Sequence, residues 1–219
     1  MKTGVEFKNL GIVSSKHANE LIGKGFQSNV WEPKRKSQER PVVFKTATLA
    51  WRLSCLVAFE PDFLEKRNQI SLELVKKYFP DHLVPTHFRQ VTAGTRSVIV
   101  QERIPQLIEL TCENNPSDEV MESLAQLAQA SQRMYQETGY ILDFLGSGIL
   151  HGMPRRLKTD PNYWALPNLV ILGGNRVGIM DFCLFQLKSP TNIMDRAVRV
   201  VYYPYIMEMQ KRLGLKFHD

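Results

Sequence analysis

The chain has 219 residues, enough for one ordinary domain or two small lobes, and its 43% hydrophobic and 23% charged content is that of a soluble globular protein. Its net charge of +6 favours anionic ligands such as nucleotides, phosphates or nucleic acid without choosing among them. No apolar run is long enough to span a bilayer, and the first residues lack the apolar core of a signal peptide. Three scattered cysteines (Cys55, Cys112, Cys183) argue against a disulfide framework or zinc site, so a reducing cytoplasm is the expected location.

Residues 1–20 mix polar and apolar side chains and read as a short strand or helix leading in. Next, two strand-like pairs, Leu21-Ile22 and Val30-Trp31, flank Gly23 and Gly25. Glycines there let backbone N–H groups approach phosphate oxygens with no Cβ in the way, although a lone Gly-x-Gly is usually an ordinary turn. A charged tip runs from Glu32 to Arg40; its Lys34-Arg35-Lys36 reads as a solvated hairpin end rather than a nucleic-acid patch. An apolar strand then ends in Lys45. Taken alone, such a lysine is unremarkable, because its stem can snorkel from an edge strand.

Residues 46–62 form an apolar insertion, in which Trp51, Leu53, Leu56, Val57 and Phe59 would suit a short covering helix. Pro61-Asp62 reads as the start of an amphipathic helix, with Phe63, Ile70 and Leu74, and Leu64, Val75 and Phe79, at helical spacing. Residues 82–92 and 96–104 read as two strands joined by Ala93-Gly94-Thr95. His82 and His87 have no metal-ligand spacing and read as structural. After Pro105 the character turns to helix. Ser117 caps a long segment with Val120, Leu124, Leu127 and Met134 near one face, and Gly139 ends it.

Asp143 follows, in the stretch Tyr140 to Gly148 (YILDFLGSG). A segment expected to loop out comes next, holding Asp160 and the basic residues Arg155, Arg156 and Lys158, which suit either an anionic substrate or a solvated loop tip. From Leu166 to Phe182 an apolar strand (Leu169 to Leu172), a Gly-Gly-Asn turn and a second strand (Val177 to Met180) make a β-hairpin. Asn168 lies just before the first strand and Asp181 just after the second, so an amide oxygen and a carboxylate converge. Two hard oxygens suit Mg²⁺, which fills its other positions with water and phosphate; a surface hairpin with a polar residue at each end is the plainer reading. Asp195 to Lys211 reads as one or two closing helices broken at Pro204, and Arg196, Arg199, Lys211, Arg212 and Lys216 make this end basic.

Taken together, these stretches resemble the protein-kinase-like superfamily, in particular compact, divergent bacterial-type members related to aminoglycoside and other small-molecule phosphotransferases. Gly23 to Val30 is similar to the Gly-rich loop, with Ser28 at the third glycine. Val42 to Lys45 resembles the Val-Ala-Ile-Lys strand. The Asn168/Asp181 hairpin, with its spacing of 181 − 168 = 13, resembles the catalytic-loop Asn and the Asp-Phe-Gly motif. The resemblance covers about residues 20–185 and implies a two-lobed α+β fold. A small antiparallel-sheet N-lobe with one helix (1–102) would precede a reduced, mostly helical C-lobe (103–219), with ATP in the cleft. It implies that Gly23 and Gly25 cradle phosphates and that Lys45 contacts them and pairs with a helix Glu, either Glu65 or Glu73. Gln101, Glu102 and Arg103 would form an adenine-binding hinge, and Asn168 and Asp181 would hold Mg²⁺. Asp143 would orient the acceptor hydroxyl, with Asp160 as the alternative.

Besides Ser28, the sequence departs from the family pattern in three further places. Tyr140-Ile141-Leu142 stands where His-Arg would precede Asp143, Asn168 follows Asp143 at 168 − 143 = 25 residues, and Cys183 replaces the glycine after Phe182. The expected function is ATP-dependent phosphoryl transfer to an unidentified hydroxyl-bearing acceptor, with anionic acceptors among the candidates. The alternative is a nucleotide-binding or non-binding pseudokinase acting as a regulatory module. Nucleic-acid binding has little support from the scattered charges.

Overall fold

The computed structural model describes residues 19–24, 28–33, 42–48, 63–83, 89–93, 96–104, 108–146 and 152–218. The chain divides into two compact units, Met1–Glu65 with Thr86–Arg103, and Lys66–Pro85 with Ile104–Asp219. It is a mixed α+β chain. Gly25, His87, the Lys34–Lys36 run and residues 49–62 of the apolar insertion lie outside the described residues.

The first unit is a five-stranded antiparallel sheet in the order β1 (Asn19–Lys24), β2 (Ser28–Pro33), β3 (Val42–Ala47), β5 (Arg96–Glu102), β4 (Arg89–Ala93). Gly23 pairs with Val30 across the β1–β2 ladder, next to a register shift after Leu21. The alternation of a strand puts Phe44 on one face with Val98, Val100, Trp31 and Val42, which form a small apolar core, and the Trp31 indole donates to Thr46 Oγ1 at 2.9 Å. Lys45 therefore stands on the other face of β3, with Val43 and the cross-strand neighbours Ile99 and Gln101. β3 does not end at Lys45 and is not an edge strand. It continues to Ala47 between β2 and β5, and Lys45 is only 8% exposed. Of the strand expected from His82, Arg89–Ala93 is strand, whereas Asp81–Leu83 forms a 3-10 turn that buries Leu83.

The helix α1 (Phe63–Tyr78), expected in the N-lobe, belongs to the second unit from Lys66 on. From Lys66 on its buried positions are Arg67, Ser71, Val75 and Tyr78; the expected Val75 and, just past the helix, Phe79 are buried, whereas Ile70 and Leu74 are only half-buried. The reason is polar: both guanidinium nitrogens of Arg67 are used inside this unit, by a strand carbonyl and a carboxylate described below. The segment after Pro105 is not helical at first. It forms β6 (Ile108–Thr111) and a 3-10 turn (Cys112–Asn114) before α2 (Asp118–Thr138) begins. Ser117 Oγ accepts from the Val120 N–H and Gly139 closes α2 at φ 76°, so both ends fall where cap chemistry puts them. Val120, Leu124, Leu127 and Met134 are all buried.

After α2 come β7 (Tyr140–Leu142), α3 (Met153–Thr159), β8 (Ala165–Leu172), β9 (Arg176–Ile179), β10 (Leu184–Gln186), α4 (Ile193–Val201) and α5 (Tyr203–Leu213). β6, β8 and β9 make a three-stranded sheet, and β7 pairs with β10. The predicted hairpin thus supplies two of the three strands of a sheet, with β8 at its centre. β8 extends back to Ala165 because β6 pairs with it, and Asn168 sits within the strand rather than before it. The β8–β9 turn uses Gly174 and Asn175 at positive φ, the conformations its composition favours. The segment expected to loop out instead contains α3, anchored by buried Met153 and Leu157. The C-terminal end is fastened by Gln210, whose Oε1 accepts the Phe217 and His218 N–H groups at 2.6 and 3.1 Å. No described helix is long and apolar enough to cross a membrane.

Candidate active site

The β7–β10 ladder and the β8–β9 hairpin bring three separated residues to one place in the second unit. β7 ends at Leu142, opposite Leu184, and the next N–H, that of Asp143, donates to the Cys183 carbonyl at 2.8 Å. The chain then turns sharply. Asp143 Oδ1 accepts the N–H groups of Leu145 (3.1 Å) and Gly146 (2.8 Å), an Asx-type turn that fixes the carboxylate. Asn168 meets this turn from β8: its N–H donates to the Phe144 carbonyl at 3.2 Å and its Nδ2 to the Asp143 carbonyl at 2.8 Å. With Nδ2 committed to a carbonyl, the other end of the amide is the oxygen Oδ1. The Met180 N–H donates to the Asn168 carbonyl at 2.9 Å, and Asp181 is the next residue.

Asp181 is close enough for its charge to act on Asp143. The Asp143 carboxyl, 3% exposed, is pushed up to about 7, chiefly by burial. The Asp181 charge adds to this, while the Gly146 and Leu145 N–H groups pull the other way. Asp143 is thus poised between its acid and base forms near neutrality.

Two further residues complete the site. Gly146 has φ 52°, and a Cβ there would lie 2.5 Å from Asn168 Oδ1, so the close approach of the turn to the amide depends on glycine. Tyr202, between α4 and α5, donates its hydroxyl to the Gly146 carbonyl. Its own ionisation is pushed well above the usual range by burial and then by the charges of Asp143, Cys183 and Asp181. Gly146 is legible in retrospect as the fourth residue of an Asp-x-x-Gly turn. Tyr202 carries no local signal, because only the path of the closing helices delivers it.

Of the other expected site residues, Asp160 does not join this group. It closes the C-terminus of α3, and its Oδ1 accepts the Asn162 N–H at 2.9 Å. Arg156 lies on α3 rather than at a loop tip, and its side chain is already paired. It makes a two-bonded pair with Glu113 (2.6 and 3.0 Å) and lies over the Tyr163 ring, 4.0 Å from its centroid. Arg155 and Lys158 are exposed. Glu73 is exposed on α1 and accepts from Gln69 at 3.0 Å, and Glu65 lies in the first turn of that helix. On the first unit Gln101 is buried, and its Oε1 has no hydrogen-bond partner among the described residues; Glu102 and Arg103 are half-buried, with Arg103 paired to Glu32 at 2.6 Å. Cys183, in place of the glycine after Phe182, is not among the residues at positive φ, so a side chain is accommodated without strain.

Behind the site, Arg67 of α1 donates to both oxygens of Asp195 on α4 (3.0 and 2.8 Å) and to the Leu184 carbonyl of β10. Asp195 also accepts from the Gln186 N–H and the Asn192 amide, and is 1% exposed. This buried pair ties α1 and α4 to the strand that positions Asp143, and nothing in the local pattern of either helix announces it.

No protein-family model matches the chain, and no curated protein matches it.

Proposed function

We propose that the chain is a compact, atypical kinase that transfers the γ-phosphoryl group of ATP to a hydroxyl. The observation that carries this reading is the meeting of Asp143, Asn168 and Asp181, two carboxylates and an amide oxygen held by one strand pair and one hairpin. The donor set suits a hard divalent cation. Asn168 Oδ1 and the Asp181 carboxylate are oxygen ligands of the kind Mg²⁺ accepts, and Mg²⁺ needs no cluster of three acidic side chains. When bound, it would supply charge neutralisation at the phosphates.

In this proposal the Asp143 carboxylate receives the proton of the acceptor hydroxyl. The oxygen forms a bond to the γ-phosphorus as the bond from that phosphorus to the β–γ bridging oxygen breaks and ADP leaves. A carboxyl with a pKa of about 7 gives up and regains a proton near neutral pH, as a general base should. Asn168 and Gly146 hold the Asp143 turn, so positioning is built into the backbone. On the first unit, Lys45 and the Gly23 hairpin are the residues proposed to take the nucleotide phosphates.

One observation favours the alternative of a pseudokinase acting as a nucleotide-binding or regulatory module: Asp143 is buried and its Oδ1 already serves two backbone N–H groups. Transfer of labelled phosphate from γ-labelled ATP to a cytosolic metabolite pool separates the readings. The kinase reading expects transfer that falls by about 10²–10⁴-fold in Asp143→Asn and is unchanged in Asp160→Asn. Equal activity of wild type and Asp143→Asn would overturn it, and Mg·ATP binding without transfer to any acceptor would favour the pseudokinase.

A further inference from the structure

The helix α4 carries a second apolar face on its outside. At about 100° per residue its inward arc carries Asp195 and Val198, both buried. The opposite arc carries Ile193, Ala197, Val200 and Val201, all exposed, with Ile193 at 65%, Val200 at 74% and Val201 at 55%. A surface helix ordinarily buries its apolar stripe. Here polar chemistry joins Val198 in holding the inward face: Asp195 is gripped by Arg67 and by the Gln186 N–H, and Asn192 Oδ1 caps the helix by accepting the Asp195 N–H at 2.8 Å. The hydrocarbon is left to whatever lies outside.

One edge of that stripe is basic. Arg196 and Arg199 are exposed beside it, and the only acid on the helix, Asp195, is buried and paired. A second copy of the chain would bring the same arginines against these in an isologous contact, with no carboxylate on the helix to answer them. A folded protein partner would also need more area. Nine residues present a strip about 13 Å long and about 10 Å wide, a fraction of the roughly 800 Å² per partner of a stable complex, so such a partner would have to reach well beyond α4. A lipid surface needs neither shape complementarity nor a minimum area. It takes up a convex apolar ridge at the headgroup boundary, and anionic headgroups answer the arginines. We propose that the outward face of α4 seats this protein reversibly on an anionic lipid surface.

The test is flotation of the full-length protein with vesicles of phosphatidylglycerol and phosphatidylcholine, and with phosphatidylcholine alone, at low and high salt. The wild type is expected to float with the anionic vesicles at low salt, and less so as salt rises. The charge-neutral double variant Ile193→Ser/Val200→Ser is expected to lower the bound fraction by about tenfold at nearly unchanged melting temperature, since it removes apolar surface that is mostly exposed, 65% at Ile193 and 74% at Val200. Arg196→Gln/Arg199→Gln is expected to weaken binding and flatten its salt dependence. Failure of the wild type to float would overturn the proposal, as would serine-variant flotation equal to wild type, which would reduce binding to the general positive charge. A concentration-dependent dimer lost in the serine variant would assign the face to a second copy. Retention of an acidic amphipathic peptide without vesicle binding would assign it to a protein.

Discussion

The side-chain amide of Asn168 donates to the main-chain carbonyl of Asp143 at 2.8 Å, joining residues 25 apart in sequence. Asn168→Ala removes that donor from a buried carbonyl and is expected to cost about 1–3 kcal/mol in urea unfolding. Asp160→Asn keeps an acceptor for the Asn162 N–H and is expected to stay within about 0.5 kcal/mol of wild type. Equal losses would mean that the Asn168 contact holds nothing in place.

Gly146→Ala tests the same contact from the other side. The alanine must take up φ 52° and place its Cβ 2.5 Å from Asn168 Oδ1, so a loss of at least about 1 kcal/mol is expected from the backbone alone. The two changes disturb one contact, so the double variant Gly146→Ala/Asn168→Ala should lose less than the two single losses added together. Full additivity would separate the glycine from the amide.

The Asp143 carboxyl gives a pH signature. Its pKa is raised to about 7 in the folded protein, from an ordinary value of 3.8. A raised carboxyl keeps a proton that the unfolded chain has already released. Its contribution to stability is therefore full below about pH 4 and is lost as pH rises through about 7. Urea unfolding in EDTA should show wild-type stability falling relative to Asp143→Asn across that window, with the variant the more stable at pH 8. Parallel curves for the two proteins would contradict the raised pKa.

What the sequence makes legible here is what local chemistry decides. The Ser117 and Gly139 caps, the Gly-Gly-Asn turn and the pairing of Asn168 with the segment before Asp181 rest on residues close in the chain or on one hairpin, and they appear in the structure where the pattern puts them. β6 is invisible because four residues, Ile108–Thr111, carry no strand signal until β8 pairs with them. On α1 and just past its end the expected Val75 and Phe79 are buried but Ile70 and Leu74 are only half-buried, because the inward face also carries Arg67, which a hydrophobic pattern counts as exposed. Tyr202 and Asp195 reach their places only through tertiary contacts, and Arg156 looks available until Glu113, distant in sequence, is brought beside it.

The Arg67–Asp195 pair should behave as a buried ion pair. Arg67→Met leaves Asp195 charged and buried, and a loss of about 3–5 kcal/mol is expected. Arg67→Met/Asp195→Leu removes both charges and should recover much of that loss, as read from chemical denaturation of the three proteins. A double variant less stable than Arg67→Met by the full cost of a second deletion would show that the two side chains act independently.

The melting temperature with and without millimolar Mg·ATP tests the central claim most directly, that Asp143, Asn168 and Asp181 form a phosphoryl-transfer centre. A ligand at about a hundred times its dissociation constant adds about 2.7 kcal/mol of stability, an upward shift of roughly 5–10 °C for a chain of this size. The account predicts that shift for the wild type, its loss in Asp181→Asn and in Lys45→Met, and its retention in Asp143→Asn, whose defect is in transfer. A folded wild-type protein whose melting temperature does not move with Mg·ATP would contradict the account.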